Sequence, residues 1–169
     1  MKNQQLAYIY GGIAGVTSFI VFVILYIFGS NPFGNMSWLG AFIPILFIVM
    51  GTIKVREELH EGYISYAQVF ITSMIITVAW ALIFAILAFL FIEFIEPNII
   101  VWHIQDTLDN MEKASQFLSE EMMEEAMEEI EKMGLFEIIQ GDFINKIIGG
   151  LIISLISSAF IKKNKPMFD

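Results

Sequence analysis

Four long apolar runs are the feature of this sequence that most restricts its fold. Backbone N–H and C=O groups must be hydrogen-bonded inside a bilayer, so an apolar run of about 20 residues predicts a membrane-spanning helix. The runs cover residues 6–28, 38–53, 64–95 and 143–161. They predict an all-α integral membrane protein with four transmembrane helices, in a single membrane domain of residues 1–169. The 57% of apolar residues against 16% of charged ones argues against a soluble domain.

The runs differ in length and in how they end. The first is uncharged, is followed by the turn-forming residues 29–32, and exceeds the ~7–15 residues of a signal-peptide core, so we expect a retained anchor. The second is short, and Pro44 removes an internal hydrogen bond and predicts a kink. The third would outrun a hydrocarbon core of ~30 Å, so its first turns are expected along the inner interface, with Tyr63 and Tyr66 at headgroup depth.

The distribution of basic residues predicts the orientation. Lysine and arginine beside spans are retained in the cytoplasm, whereas acidic residues contribute little to orientation. The loop 29–37 carries no charge, and the segment 97–142 has only 2 lysines. With four alternating spans, the basic residues that flank them fall on one side: Lys2, Lys54, Arg56, Lys162, Lys163 and Lys165. We therefore expect both chain ends in the cytoplasm and two loops outside.

The segment 97–142 holds most of the acidic residues. It contains 12 Asp and Glu, in a chain whose net charge of −9 excludes a strongly basic nucleic-acid binder. In residues 98–111 apolar side chains recur at spacings of 4, 4 and 3, which is typical of an amphipathic helix. A second helix is predicted from Ser119, a good N-cap, to Met133, with Gly134 as its stop. We therefore expect an acidic extracytoplasmic helical hairpin.

The second of these helices is rich in methionine on one side and glutamate on the other. One interpretation is an ordinary amphipathic hairpin that packs on itself or on the mouth of the bundle. The other is an adaptable surface for a partner protein, formed by Met123, Met127 and Ile130. Cation binding by the glutamates is disfavoured, because carboxylates spread along a helix do not converge as calcium coordination requires.

Small residues recur every four positions on two of the spans. Such residues let helix backbones approach closely in a membrane. The two ridges are Ala7, Gly11 and Gly15 on the first span, and Gly150, Ser154 and Ser158 on the fourth. They predict either homodimerisation or, as we prefer, contacts among this chain's own helices.

Polar and charged groups within the spans are few. A polar stripe on the third span comprises Ser65, Gln68, Thr72, Ser73 and Thr77. It predicts interhelical hydrogen bonds, or in a transporter the lining of a path. Residues 6–28, 38–53 and 70–92 contain no ionisable group of the kind that proton-coupled transport needs. Near the outer boundary we expect a structural ion pair among Glu93, Glu96 and Lys146, with Asp142 as a further partner at i−4.

Catalytic and metal-binding patterns are weak. The absence of cysteine excludes disulfide scaffolds, thiol nucleophiles and cysteine-based metal sites. Glu57, His60 and Glu61 could share a helix face as weak metal ligands, but a solvated helix end stopped by Gly62 explains them without a metal. His103 is expected at the interface. Nucleophile elbows, P-loops and dinucleotide fingerprints are missing, so we predict neither an enzyme nor a bound cofactor.

The organisation of the chain resembles a family of small bacterial inner-membrane proteins catalogued as domain of unknown function 4199. The matching segments, spread over nearly the whole chain, are Tyr10-Gly11-Gly12-Ile13-Ala14-Gly15, Lys54-Val55-Arg56, Gly62-Tyr63-Ile64-Ser65-Tyr66-Ala67-Gln68-Val69-Phe70, Ile152-Ile153-Ser154-Leu155-Ile156 and Lys162-Lys163. The resemblance implies a four-span protein of the bacterial inner membrane. It implies no activity, cofactor or catalytic residue.

Two functions are compatible with these observations. The first is a non-enzymatic scaffold or accessory subunit that meets a membrane or periplasmic partner, or a second copy, through its acidic hairpin and small-residue faces. The second is a small transporter or channel component that uses the polar stripe of the third span. The lipid bilayer is a partner in both cases.

Overall fold

The computed structural model describes residues 2–113 and 120–165, and this part of the chain is helical apart from one isolated β-bridge. The elements are α1 (Lys2–Ile27), a 3₁₀ helix (Asn35–Gly40), α2 (Phe42–Leu59), α3 (Tyr66–Phe94), α4 (Asn98–Lys113), α5 (Glu120–Glu131) and α6 (Leu135–Ile161). The predicted all-α fold is confirmed. Both helices predicted within 97–142 are present as α4 and α5, although Ser119, the predicted cap of α5, lies outside the described residues.

Among the described residues, four helical stretches are long and apolar enough to cross a membrane, as predicted: Gln4–Ile27, Asn35–Leu59, Tyr66–Phe94 and Leu135–Ile161. Their outward surfaces carry large apolar side chains that are exposed: Ile9, Ile20, Leu46, Ile71, Leu82 and Ile152. An apolar surface of this extent is unfavourable in water and suits a lipid environment.

The central helix of the bundle is α3. It is continuous over 29 residues and contacts α1, α2, α4 and α6. Small or buried side chains such as Ala81 and Ala88 allow these close approaches. At about 1.5 Å per residue its length is about 43 Å, so it exceeds a ~30 Å hydrocarbon core.

The second apolar run begins as the 3₁₀ helix and continues as α2. Trp38, a residue type that is common at membrane interfaces, is exposed on the 3₁₀ helix. Pro44 is the third residue of α2, where a backbone N–H has no partner within the helix in any case. The predicted kink inside the span is therefore replaced by a proline in the first turn, which interrupts no interior hydrogen bond.

The fourth span starts earlier than predicted. It begins at Leu135 rather than at residue 143, so Glu137 and Asp142 lie on α6 and not in a loop. The reason is long-range packing, because Ile138 and Ile139 are buried. Gly134, predicted to stop the preceding helix, is the N-cap residue of α6, and its N–H donates to Glu137 Oε2 at 3.1 Å.

An aromatic cluster fills the end of the bundle near α4. The Phe22 ring of α1 meets the rings of Phe33, Phe84 and Phe91 at centroid distances of 5.1, 5.7 and 6.2 Å. Ile99 of α4 is fully buried in the same cluster. The start of α4 is therefore anchored on the bundle.

The opposite end of the bundle is closed by backbone contacts. Ile64 and Lys163 exchange two backbone hydrogen bonds of 2.9 Å each. Arg56 Nη1 of α2 donates to the carbonyl oxygen of Ile161 at 3.1 Å. These contacts join the ends of α2 and α6 to the start of α3, where the basic flank residues Lys162 and Lys165 also lie.

Candidate functional site

The small residues of α1 form its contact with α3. Ala7, Gly11 and Gly15 are all buried. A Cβ atom on Gly11 would lie 2.6 Å from the backbone oxygen of Ile76, and one on Gly15 would lie 2.7 Å from Ile83 Cβ. This face is occupied within the chain and is not available to a second copy.

The small residues of α6 are also buried against α3. A Cβ atom on Gly150 would overlap the side chain of Thr77. Ser154 and Ser158 are fully buried, and the Ser158 hydroxyl donates to the Ser154 carbonyl at 2.5 Å. Both predicted ridges therefore lie inside the bundle.

A third close contact, on α2, was not predicted. A Cβ atom on Gly51 would lie 2.8 Å from both Ile76 Cδ1 and Tyr10 Cγ. The neighbouring Thr52 Oγ1 lies 3.1 Å from Ser73 Oγ, within hydrogen-bond distance. The signal in the sequence is a glycine and a threonine side by side in a run of bulky apolar residues.

The predicted polar stripe of α3 divides into two parts. Ser65 and Gln68 form a capping box, in which the Gln68 N–H donates to Ser65 Oγ and the Ser65 N–H donates to Gln68 Oε1 at 3.0 Å. Thr72, Ser73 and Thr77 are buried between helices. The stripe is therefore a helix cap followed by three buried hydroxyl side chains, of which Ser73 lies within hydrogen-bond distance of Thr52 on α2.

The structure pairs Lys146 with Asp142, the partner considered at i−4, rather than with Glu93 or Glu96. Lys146 Nζ lies 2.5 and 2.7 Å from the two carboxylate oxygens of Asp142, one turn earlier on α6. Glu93 is exposed, and no ion pair of the described residues includes it. Glu96 accepts a hydrogen bond from the Tyr26 hydroxyl at 2.5 Å. The early start of α6 favours this pair, because it places Asp142 within the helix, where side chains at i and i−4 lie on one face.

Glu96 links α1, α3 and α4 at the end of the bundle near α4. The Tyr26 hydroxyl of α1 and, at 2.9 Å, the Asn98 amide of α4 donate to its carboxylate. These hydrogen bonds hold the pKa of Glu96 below its usual value, with the Tyr26 contribution the larger. The carboxylate remains charged and holds α1 and the start of α4 at the end of α3.

Lys146 lies deeper than the sequence predicted. Because α6 begins at Leu135, this residue is more than three turns into the helix rather than one. Its Nζ lies 3.9 Å from the ring centroid of Phe84 and 5.9 Å from that of Trp80, which is near the middle of α3. Ionisable groups at such depth in a membrane bundle are expensive and usually functional.

A cavity of about 390 Å³ opens beside this ion pair. It lies between α1, the 3₁₀ helix, α2, α3 and α6. On its wall Trp80 Nε1 donates to Ser18 Oγ at 2.8 Å. The lining includes Ser18, Trp38, Gly40, Asp142, Lys146 and Gly149. The cavity therefore combines aromatic walls with one largely buried cation, one carboxylate and the hydroxyls of Ser18 and Ser37, groups that can bind a small polar ligand.

His103 lies on α4, against the loop that follows α1. Its ring centroid is 5.3 Å from that of Phe33, and its Nδ1 is buried with no hydrogen-bond partner among the described residues. Burial lowers the pKa of His103, and the charges of Asp106 and Asp142 only partly oppose this shift. The neutral imidazole is therefore the form that fits the contact.

We expect the docking of α4 to weaken as the pH falls below the usual histidine pKa near 6.5. As the pH falls, His103 of the unfolded chain is protonated first, because its pKa is higher than that of His103 in the folded chain. The contribution of the neutral imidazole to folding stability is therefore complete above the unfolded-chain pKa and is lost as the pH falls towards the folded-chain pKa. Thermal unfolding of the wild type and of His103→Phe, compared between about pH 5 and pH 7.5, measures it. The variant should show the smaller acid destabilisation, and equal losses would contradict this account.

Metal ligands do not converge at the basic end. Glu57 is 2.7 Å from Arg56 Nη2, and Glu61 is 3.4 Å from Lys165 Nζ. Across residues 2–113 and 120–165, no three His, Asp or Glu side chains come close enough to hold a metal ion. The charges of these two glutamates are instead matched by neighbouring basic side chains.

The predicted partner surface lies on α5. Met127 is 36% exposed, while Met123 and Ile130 are half-buried. None of the described side chains of α5 is buried. A shallow groove on this helix is lined by Met123, Glu124, Met127, Glu128 and Glu131. The methionines thus lie among carboxylates on an open surface.

Comparison with known proteins gives one match. The model of a family described as protein of unknown function (DUF4199) matches residues 9–163, from the second turn of α1 to just past the end of α6. No curated protein and no solved structure matches the chain. The family match agrees with the resemblance of the sequence and carries no activity.

Proposed function

The chain belongs to the family described as protein of unknown function (DUF4199), and we propose that it is a multi-pass protein of the bacterial cytoplasmic membrane that serves as a scaffold or accessory subunit. The exposed apolar side chains of the four long helices support the membrane placement. The function itself is inferred from α5, since the described residues contain no arrangement of catalytic groups that we recognise.

The distribution of charge supports an orientation with both chain ends in the cytoplasm. Lys54, Arg56 and Lys163 lie at the end of the bundle where α2 and α6 terminate. The 12 acidic residues of 97–142 belong to α4, α5 and the start of α6, at the other end. Since basic residues are retained on the cytoplasmic side, the acidic end faces outward.

One observation carries the scaffold function. On α5 an exposed methionine, Met127, lies among glutamates, and none of the described side chains of the helix is buried. Methionine is flexible and polarizable, so it suits a surface that adapts to another protein. We propose that α4 and α5 form an acidic helical hairpin outside the membrane and that the Met123, Met127 and Ile130 side contacts a membrane or periplasmic protein.

Site-specific photocrosslinking in native membranes tests this function. A photoreactive residue at Met127 should give one dominant adduct with another protein, because that position faces the groove. The matched control is Glu129 on the same helix, two residues and about 200° away at 100° per residue. Adducts of equal yield from both positions, or none from Met127, would contradict the scaffold function.

The deep ion pair favours a second candidate, a small transporter or channel component. Lys146 and Asp142 place charge beside the middle of α3, whereas Thr72 and Thr77 of the predicted path are buried in helix contacts. Reconstitution in liposomes separates the two functions. Saturable flux that is lost in Lys146→Gln but kept in the exposed-site variant Lys113→Gln would support transport and contradict a scaffold-only role.

A further inference from the structure

We propose that the cavity beside Lys146 binds the headgroup of a zwitterionic membrane lipid, one that carries a phosphate and a primary ammonium. The cavity of about 390 Å³ falls in the range of small-molecule sites, about 300–1,000 Å³. This inference rests on the proposed membrane placement and is independent of the partner surface on α5.

The charges in the cavity select a zwitterion. Lys146 and Asp142 neutralise one another, and their side chains are only 16% and 19% exposed. A simple anion on Lys146 would leave the Asp142 carboxylate without a counter-charge, and a simple cation on Asp142 would leave the ammonium alone. Either arrangement is costly for a buried group. A headgroup with both charges compensates both side chains, with phosphate on Lys146 and ammonium on Asp142.

The Ser18 hydroxyl supplies a second hydrogen-bond donor, besides Lys146, for the phosphate of the headgroup. Ser18 Oγ accepts from Trp80 Nε1 at 2.8 Å, which leaves the Ser18 hydroxyl proton to donate. Ser18 is 7% exposed and lines the same cavity as Lys146. An ammonium group and a hydroxyl on two different helices form a charge-assisted site for an anionic oxygen.

The residues at the rim of the cavity indicate that the headgroup belongs to a lipid of the bilayer and not to a water-soluble molecule. The lining residue Ala41, the N-cap of α2, is followed one turn later by Ile45, and on α6 the lining residue Gly149 is followed by Ile152. Ile45 and Ile152 are exposed, by 41% and 53%. Trp38, also exposed, lines the cavity as well. The headgroup therefore enters from the side, and the acyl chains remain in lipid.

Two glycines in the lining allow the cavity to be filled from opposite walls. A Cβ atom on Gly149 meets nothing within 4 Å, and one on Gly40 meets only Val21 Cγ1, at 3.8 Å. Gly149→Leu and Gly40→Leu should therefore fold while occupying the space of a headgroup. The matched control is Gly141→Leu, also on α6 with nothing within 4 Å, but outside the cavity.

Calorimetric titration of the detergent-purified full chain tests the proposal. Short-chain phosphatidylethanolamine should bind saturably, and at least about tenfold more weakly in Gly149→Leu and Gly40→Leu than in the wild type or Gly141→Leu. Short-chain phosphatidylglycerol, which lacks the ammonium, and free phosphoethanolamine, which lacks the chains, should each bind at least about tenfold more weakly.

Three results would overturn it. They are wild-type affinity in both filled variants, equal affinity for the phosphatidylglycerol, or equal affinity for the free headgroup, which would assign the site to a water-soluble zwitterion. Thermal unfolding in the same detergent shows whether Gly149→Leu or Gly40→Leu has failed to fold. If one has, the lipid affinity of the other tests the proposal. Absence of lipid binding with persistent Met127 crosslinking would sink this inference and leave the scaffold function standing.

Discussion

Replacing Gly11 with alanine is expected to lower the free energy of unfolding by about 1–3 kcal/mol, the usual cost of overpacking. The new methyl group would lie 2.5 Å from Ala79 Cβ and 2.6 Å from the backbone oxygen of Ile76. Neither group can move aside by a change of rotamer, so α1 must withdraw from α3. Thermal or denaturant unfolding in a single detergent measures the loss.

The adjacent glycine is the control. A Cβ atom on Gly12 meets nothing within 4 Å, so Gly12→Ala should be neutral, or stabilising by up to about 1 kcal/mol through helix propensity. The pair Gly150→Ala and Gly149→Ala repeats the comparison on α6, since Gly150 faces Thr77 and Gly149 faces the cavity. Equal effects of the two members of a pair would contradict the proposed packing.

Removing the carboxylate of Asp142 is expected to destabilise the protein by about 3 kcal/mol. Breaking a buried ion pair typically costs about 3–5 kcal/mol, and the partial exposure of Lys146 places this case at the lower end. In Asp142→Ala the ammonium would remain against Phe84 with no counter-charge. Unfolding of this variant and of the wild type under identical detergent conditions gives the difference.

Two controls separate burial from charge. Glu128 and Lys132 form an i,i+4 pair like Asp142 and Lys146, but their side chains are 66% and 70% exposed; Glu128→Ala should therefore cost less than about 0.5 kcal/mol. The double variant Asp142→Leu/Lys146→Leu should recover most of the loss, because apolar side chains can replace a buried pair at little cost. A double variant no more stable than Asp142→Ala would contradict this explanation.

The helix contacts were the part of the fold that spacing alone could predict. The four-residue recurrence of small side chains selected Gly11 and Gly150 rather than their neighbours Gly12 and Gly149. The structure places the selected glycines against α3 and the neighbours in open space. The four-residue spacing predicts the contacting glycines because residues four apart lie on one helix face, whichever helix packs against it.

The start of α6 could not be predicted in this way. Glu137, Gly141 and Asp142 make the local sequence polar and glycine-containing, so it resembles the end of a loop. Burial of Ile138 and Ile139 in contacts distant in the chain extends the helix back to Leu135. Local pattern does not contain that information.

The wrong start of the fourth helix also gave a wrong depth for Lys146 in the candidate site. With a span from residue 143, Lys146 belongs near the membrane boundary, and Glu93, Glu96 and Asp142 are all reasonable partners. With a helix from Leu135, Asp142 lies on the same helix as Lys146, and the Lys146 ammonium lies beside Trp80. The cavity, built from five separate elements, became visible only in three dimensions.

The central claim is that the chain crosses the membrane four times, with its basic end inside and its acidic end outside. Because the native chain has no cysteine, Lys113→Cys on α4 and Lys165→Cys after α6 each introduce a single labelling site. Both positions are exposed. In right-side-out vesicles, a membrane-impermeant maleimide should label Lys113→Cys at once and Lys165→Cys only after detergent is added. Labelling of both positions before detergent, or of neither, would contradict the four-span account.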